Sequence, residues 1–463
     1  MPHSTNTLDD LTRATGGRPL TSDVARDAEL GPAAIDSRRV EPGEVFWAMR
    51  GPNYDGADFA DEAFRRGAAG VVTTRAIDAP KGHWAVQVDD TAEALQRWAE
   101  YRRRHFTGTV IGVTGSVGKT TTRQMIHTVL QSRLSGTASP RNYNNHVGLP
   151  LSMFALRPDH DYSVLELGAS RPGEIAALAG LCRPKVGVIT QIGDAHLGGF
   201  GNRQGIARAK AELLAALPPD GRAVLGDDPW LRSVAEGCHA EVTWVGTGDN
   251  CHVRAADVHT GQGHLTFRVE DCRFRVPVWG RHHLSSALAA VGVARILGFD
   301  LDEIAAALGN FDPVPMRCEV FEIREATVIN DTYNSNPTAM QAALELVRDF
   351  DVTGRRIVVA GDMGELATEA ISRHFQLGRQ IVATGGAELL IACGRFARYV
   401  TAGARSLGMP PARAICCETV DEALPHLGQT LQPGDLVLIK GSRMMAMERL
   451  VEALQQYPKR RSA

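Results

Sequence analysis

Residues 108–122 read GTVIGVTGSVGKTTT. An apolar run passes into a glycine-rich turn ending in Lys-Thr, and a helical period follows from residue 124. That order demands a buried strand, a tight turn and a helix in one unit, which is the building block of an α/β sheet. Glycines let the backbone approach phosphate oxygens. The turn's N–H groups and the helix N-terminus then supply positive potential. In such a loop Lys119 reaches the β- and γ-phosphates, and the Thr120 hydroxyl can coordinate Mg²⁺. Gly115, Ser116, Val117, Gly118, Lys119, Thr120 and Thr121 are therefore candidate nucleotide-binding residues.

The rest of the chain repeats the βα order without a fixed repeat length, so a solenoid is not expected. Strand patterns fall at 45–49, 70–73, 108–114, 162–167, 186–190, 222–225, 356–360, 389–393 and 436–440. Between 253 and 279 the pattern alternates, which predicts an antiparallel insert on a sheet edge. A chain of 463 residues suits about three domains. Asp312-Pro313-Val314-Pro315 reads as a linker, since two prolines in three residues stop helix and ladder. The expected division is 1–106, 107–312 and 313–463, with a central phosphate-loop sheet and a C-terminal Rossmann-like domain. Turns at Gly361-Asp362, Gly394 and Gly441-Ser442 follow strands and are expected to face a crevice. The helix over 91–104 ends in Arg102-Arg103-Arg104-His105, read as a solvated helix end. Met444, Met445 and Met447 read as core filling in a helix, and Lys459-Arg460-Arg461 as a solvated tail.

Composition narrows the function. The formal net charge of −3 disfavours a nucleic-acid surface. No apolar run approaches the roughly 18–20 residues of a membrane span. The first residues carry neither a basic nor an apolar signal region, and the eight cysteines include no CxxC pair. A cytoplasmic protein without disulfides or a zinc cluster is expected.

Outside the loop, a few residues stand where chemistry could use them. Glu166 ends the strand VLELG and is placed to ligate a metal beside the phosphate loop. His196 lies in TQIGDAHLGGFG after a strand, among glycines that allow close ligand approach. Lys210, in GIARAKAELLAAL, reads by itself as a solvated helix lysine. Arg317, in PVPMRCEV, could clamp a phosphate that becomes a leaving oxyanion. Asp331, Tyr333, Asn334 and Asn336 lie in NDTYNSNP, which also fits an Asx/Pro turn.

The loop spacing G-x-x-G-x-x-G-K-T resembles that of the Mur ligase and folylpolyglutamate synthase family more than that of GTPases or kinases. The resemblance spans nearly the whole chain in order. IDSRRVEPGEVFWAMRGPNYDGADF resembles a uridine-nucleotide domain of that family. SPRNYNNHVGLPL, ELGASRPGEI, DTYNSNPTAM, GDMGEL and LIKGSRMMAME resemble its dipeptide-adding branch. Two segments depart from the usual pattern. The typical G-R-H-N-x-x-N-A reads Gly280-Arg281-His282-His283-Leu284-Ser285-Ser286-Ala287, and P-V-P-G-R has Met316 before Arg317.

The resemblance implies an ATP-dependent amide ligase of cell-wall precursor synthesis. Its expected substrates are UDP-N-acetylmuramoyl-tripeptide and D-alanyl-D-alanine, joined through an acyl phosphate by a monomer. By resemblance, Thr120 and Glu166 serve one Mg²⁺. Glu166, His196 and Lys210, carbamylated by CO₂, hold a second. Lys119, His196, Lys210 and Arg317 are the implied catalytic set. His283, Asp331 and Tyr333 join the ATP site, and Ser37, Arg38, Asn145, Asn334 and Asn336 the substrate sites. A sibling ligase adding diaminopimelate or lysine is the alternative, followed by an ATP-hydrolysing switch.

Overall fold

The computed structural model describes residues 6–21, 24–51, 53–261 and 263–456. The basic tail at 459–461 lies outside them. Among the described residues, three sheets succeed one another along the chain. The first has five strands. Ala33–Ala34, Val45–Trp47, Gly70–Thr73 and Trp84–Gln87 run parallel, and Arg18–Pro19 closes the edge antiparallel.

The second sheet has nine strands. Its parallel part runs across Gly136–Ala138, Tyr162–Glu166, Thr109–Thr114, Val186–Ile189, Arg222–Gly226 and Glu241–Gly246. Val253–Gly261 continues it, and His264–Val269 and Cys272–Val276 fold back antiparallel at the edge, as the alternation predicts. Thr109–Thr114 sits between Tyr162–Glu166 and Val186–Ile189, so the phosphate loop leaves the sheet flanked by the ends of two parallel strands. The third sheet has six strands, parallel except for the edge pair Glu319–Ile323 and Ala326–Asn330. Leu436–Lys440, beside Ala326–Asn330, is buried throughout.

Local chemistry sets the helix starts. Asp90 caps Thr91–Arg104 by accepting from the N–H groups of Ala92 and Glu93. Asn336 caps Pro337–Asp349 by accepting from Ala339 N at 2.8 Å. Lys119–Leu130 differs. Its N-cap is Gly118, with φ +81°, and no side chain among the described residues caps it. The turn needs glycine there, and the first N–H groups stay free for an anion.

Several expectations are corrected. The basic run ending Thr91–Arg104 is not uniformly solvated. Arg102 is buried and donates to the carbonyls of Phe154 and Leu156. Arg103 donates to Cys182 O at 2.6 Å and Arg183 O at 2.9 Å. Only Arg104 and His105 are exposed. A guanidinium fork can satisfy several terminal carbonyls at once, so the run ties the first region to the second. Met444 is 90% exposed, while Met447 is buried, because the segment starts as a short 3₁₀ turn, Arg443–Met445. Asp362 does not face the crevice. It accepts from the N–H groups of Arg395 and Phe396 and so caps the turn after Leu389–Cys393. The glycines near His196 serve close packing of protein on protein. A Cβ on Gly193 would strike Thr338, and one on Gly199 would strike Ser170 O. All eight cysteines are free thiols, and no helix among the described residues is long and apolar enough to cross a membrane.

Candidate active site

The second and third sheets face one another across a cavity of about 1010 Å³. Its floor is the phosphate loop. Thr190 Oγ1 donates to Val117 O at 2.6 Å, and Ser116 Oγ donates to Gly193 O at 3.0 Å. Strand-end residues of the sheet thus hold the loop from behind. Lys119 Nζ donates to Gly115 O at 2.8 Å, folded over its own loop. Burial pushes its pKa down.

Thr120 is the meeting point. Its hydroxyl donates to Glu166 Oε2 at 2.9 Å and accepts from Arg317 Nη2 at 2.9 Å, across 197 residues of sequence. Asn144 Nδ2 donates to Glu166 Oε1 at 2.8 Å, and Arg123 Nη1 lies 3.8 Å from Oε2. Glu166 is 1% exposed, so its charge is held by these donors rather than by water. The Arg317 guanidinium lies 4.1 Å from the centre of the Tyr333 ring. Arg317 Nε and Arg123 Nε are buried without a hydrogen-bond partner among the described residues, which leaves two cationic donors for an anion.

His196 adopts φ +54° at the start of the turn Leu197–Phe200. Its Nδ1 pairs with Glu365, whose own carboxyl pKa is lowered by that contact. Glu365 belongs to the third region, so this contact crosses the cavity. Asp194 N to Thr338 Oγ1 at 2.9 Å and Arg373 to Asp194 at 3.2 Å cross it too.

Lys210 is not the solvated lysine its helix pattern suggests. It is 1% exposed, with Nζ 3.3 Å from Ala169 O and 5.3 Å from the centre of the Phe200 ring. Burial, helped by the Lys119 charge, lowers its pKa to about 7. A nucleophilic amine is therefore available near neutral pH.

On the third-region wall, Asp331 Oδ2 accepts from Lys440 Nζ at 2.6 Å, and Lys440 also donates to Asn334 O at 2.8 Å. Asn145, Asn334 and Asn336 line the cavity, with Asn336 also spent as a helix cap. His283 is buried in the opposite wall. Ser286 Oγ accepts from Thr122 Oγ1 at 2.9 Å and so packs against the loop helix. Ser37 and Arg38 are not brought to this cavity. Ser37 donates to Glu62 at 2.7 Å and Arg38 forks onto Asp36 at 2.9 Å within the first region.

Sequence reasoning missed Asn144, Arg123, Glu365 and Lys440. Asn144 and Lys440 stand inside quoted motifs, SPRNYNNHVGLPL and LIKGSRMMAME, and could have been found there. Glu365 lies in GDMGEL, but nothing local pairs it with His196.

Known proteins resemble the chain over most of its length. Family models match three segments: "Mur ligase family, catalytic domain" at 33–103, "Mur ligase middle domain" at 113–294 and "Mur ligase, glutamate ligase domain" at 316–443. The UDP-N-acetylmuramoyl-tripeptide–D-alanyl-D-alanine ligase of Bacillus subtilis (strain 168) is 33% identical over 92% of this chain and 93% of its own. A crystal structure of MurF from Acinetobacter baumannii superposes with a TM-score of 0.84 at 31% identity, covering 97% of this chain and 99% of that one. MurF from Thermotoga maritima, solved in complex with ADP, gives 0.76 at 29% identity, covering 92% and 97%. The chain belongs to the Mur ligase family.

Proposed function

We propose that the chain is an ATP-dependent ligase that joins D-alanyl-D-alanine to a UDP-N-acetylmuramoyl-tripeptide in peptidoglycan precursor synthesis. The full-length likeness to ligases of that name supports the substrates. The convergence of Glu166 and Arg317 on Thr120 of the phosphate loop carries the chemistry.

A carboxylate resists attack by an amine because its leaving group would be oxide. Phosphorylation supplies a better one. The tripeptide's terminal carboxylate oxygen attacks the γ-phosphorus, forming one P–O bond as the bond to ADP breaks. The dipeptide amine then attacks the acyl carbon, phosphate leaves and the amine loses a proton. The loop N–H groups and Lys119 hold the phosphates, and Arg317 neutralises the transferring group. Tyr333 backs Arg317 and fixes its plane. Water must be kept from the acyl phosphate, and the contacts of His196 with Glu365 and Asp194 with Thr338 close the cavity on that side.

The donor set fits hard divalent cations. Thr120 and Glu166 offer buried oxygens to one Mg²⁺. The near-neutral amine of Lys210 fits reaction with CO₂, giving a carbamate that would join Glu166 and His196 around a second. Bound there, Mg²⁺ would neutralise phosphate charge. We assign residues 1–106 to the UDP-sugar peptide, through Ser37 and Arg38, 107–312 to ATP, and 313–463 to the incoming amine. Asn145, Asn334 and Asn336 are assigned to substrate, and His283, Asp331 and Tyr333 to ATP. Nucleotide-linked substrates point to the cytoplasm as the place of this work, and we take the chain to act as a monomer.

Phosphate release, with product mass read in the same tube, tests this. Release that needs both UDP-N-acetylmuramoyl-tripeptide and D-alanyl-D-alanine, with a pentapeptide mass, is expected. Product from a single amino acid and the matching precursor would move the chain to a sibling ligase. Release without any peptide would contradict ligation.

A further inference from the structure

His282, His283 and Cys318 meet on one wall of the cavity. Their ligand atoms all lie within 4.8 Å of one another. Cys318 Sγ is 3.7 Å from His282 Nε2, and the two imidazole centres are 4.1 Å apart. His282 and His283 are held side by side by the 3₁₀ turn Arg281–His283. Met316 and Cys318, either side of Arg317, both take left-handed backbone, with φ +59° and +51°. Neither is glycine, so the segment holds strain while Arg317 reaches Thr120 and Cys318 meets His282. The Asp331 carboxylate secures that backbone by accepting from Cys318 N at 3.3 Å.

We propose that His282, His283 and Cys318 form a binding site for Zn²⁺, separate in chemistry from the Mg²⁺ positions. Two imidazoles and a thiol are soft or borderline donors that discriminate against Mg²⁺. Zn–N and Zn–S bonds of about 2.0 and 2.3 Å in a tetrahedron set ligand atoms roughly 3.3–3.5 Å apart, so small side-chain rotations close the site. Burial keeps the His283 imidazole neutral, the form that binds a metal. The bare Cys318 thiol is kept protonated by burial. On binding, two Zn–N bonds and one Zn–S bond form, the thiol proton leaves to solvent, and water completes the shell. Resting on the nucleotide reading above, the ion would stiffen the wall beside Arg317 and compete with ATP.

The test uses the full chain, with Mg²⁺ present and Co²⁺ as the spectroscopic probe, displaced afterwards by Zn²⁺. One Co²⁺ per chain with a thiolate-to-cobalt charge-transfer band is expected. The band is expected to vanish in Cys318→Ser. His282→Gln and His283→Asn are each expected to weaken Zn²⁺ at least about tenfold. His282 is exposed, so its variant keeps the test valid if Cys318→Ser unfolds. No band, or a band that survives Cys318→Ser, overturns the site. A Cys318-dependent band with an ATP Kd indifferent to Zn²⁺ supports the metal site and contradicts the nucleotide placement on this wall. Normal ATP binding with no cobalt band does the reverse.

Discussion

The two ends of the cavity are built differently. At the phosphate end, a contiguous loop, a strand-end carboxylate and one distant arginine converge on a single hydroxyl, Thr120. At the other end, His282, His283 and Cys318 meet, and His283 stands where the family pattern has an asparagine. The phosphate end must neutralise charge that develops in any phosphoryl transfer, so its residue types are fixed by the reaction. The other end, on the proposed reading, has only to hold a neutral ring, which many side chains can do.

Substitutions at the two ends sharpen that contrast. Lys119→Ala is expected to lower kcat by about 100- to 1000-fold, the usual cost of a lost charge-stabilising donor. Its fold should survive, since among the described residues Lys119 donates only to Gly115 O. A steady-state assay beside a thermal melt checks both. Arg102→Ala acts far from either end. It leaves the Phe154 and Leu156 carbonyls unpaired in a buried place and should cost about 1–3 kcal/mol in urea unfolding.

Lys210 links stability to pH. Folded, its amine loses its proton near pH 7, whereas the unfolded lysine keeps it to about 10.4. Between those values the unfolded state binds the extra proton, so stability should rise with pH across that window. The contribution is full above the unfolded pKa and is lost as pH falls towards about 7. In bicarbonate-free buffer Lys210→Met should flatten that slope; an unchanged slope would show that Lys210 titrates normally. A smaller effect is expected from His283→Asn with Ser286→Asn, which restores the family residues. The ATP KM should move severalfold and more than kcat does. Met444→Ser, at a 90% exposed position, should change stability by less than about 0.5 kcal/mol.

What the sequence disclosed follows the same division. The loop strand, Thr109–Thr114, its helix and the edge hairpin were legible because each is a local period. Glu166 was legible because it ends a strand adjacent to the loop. The burial of Lys210 was not, because its helix has a weak apolar bias and its cover comes from Phe200 and Ala169. Arg102 and Arg103 misled for the same reason. A basic run reads as solvent-facing until distant carbonyls are folded against it. The pairing of His196 with Glu365 joins residues 169 positions apart, and only the closing of one sheet over another creates it.

The chemistry at the phosphate end is tested most directly by oxygen tracing. The tripeptide carries ¹⁸O in its terminal carboxylate, and the phosphate released during a complete turnover is weighed. One ¹⁸O in each phosphate is expected, because the carboxylate oxygen that attacks ATP leaves as the bridging oxygen of the acyl phosphate. Phosphate free of label, with pentapeptide still formed, would contradict activation of the carboxylate by ATP.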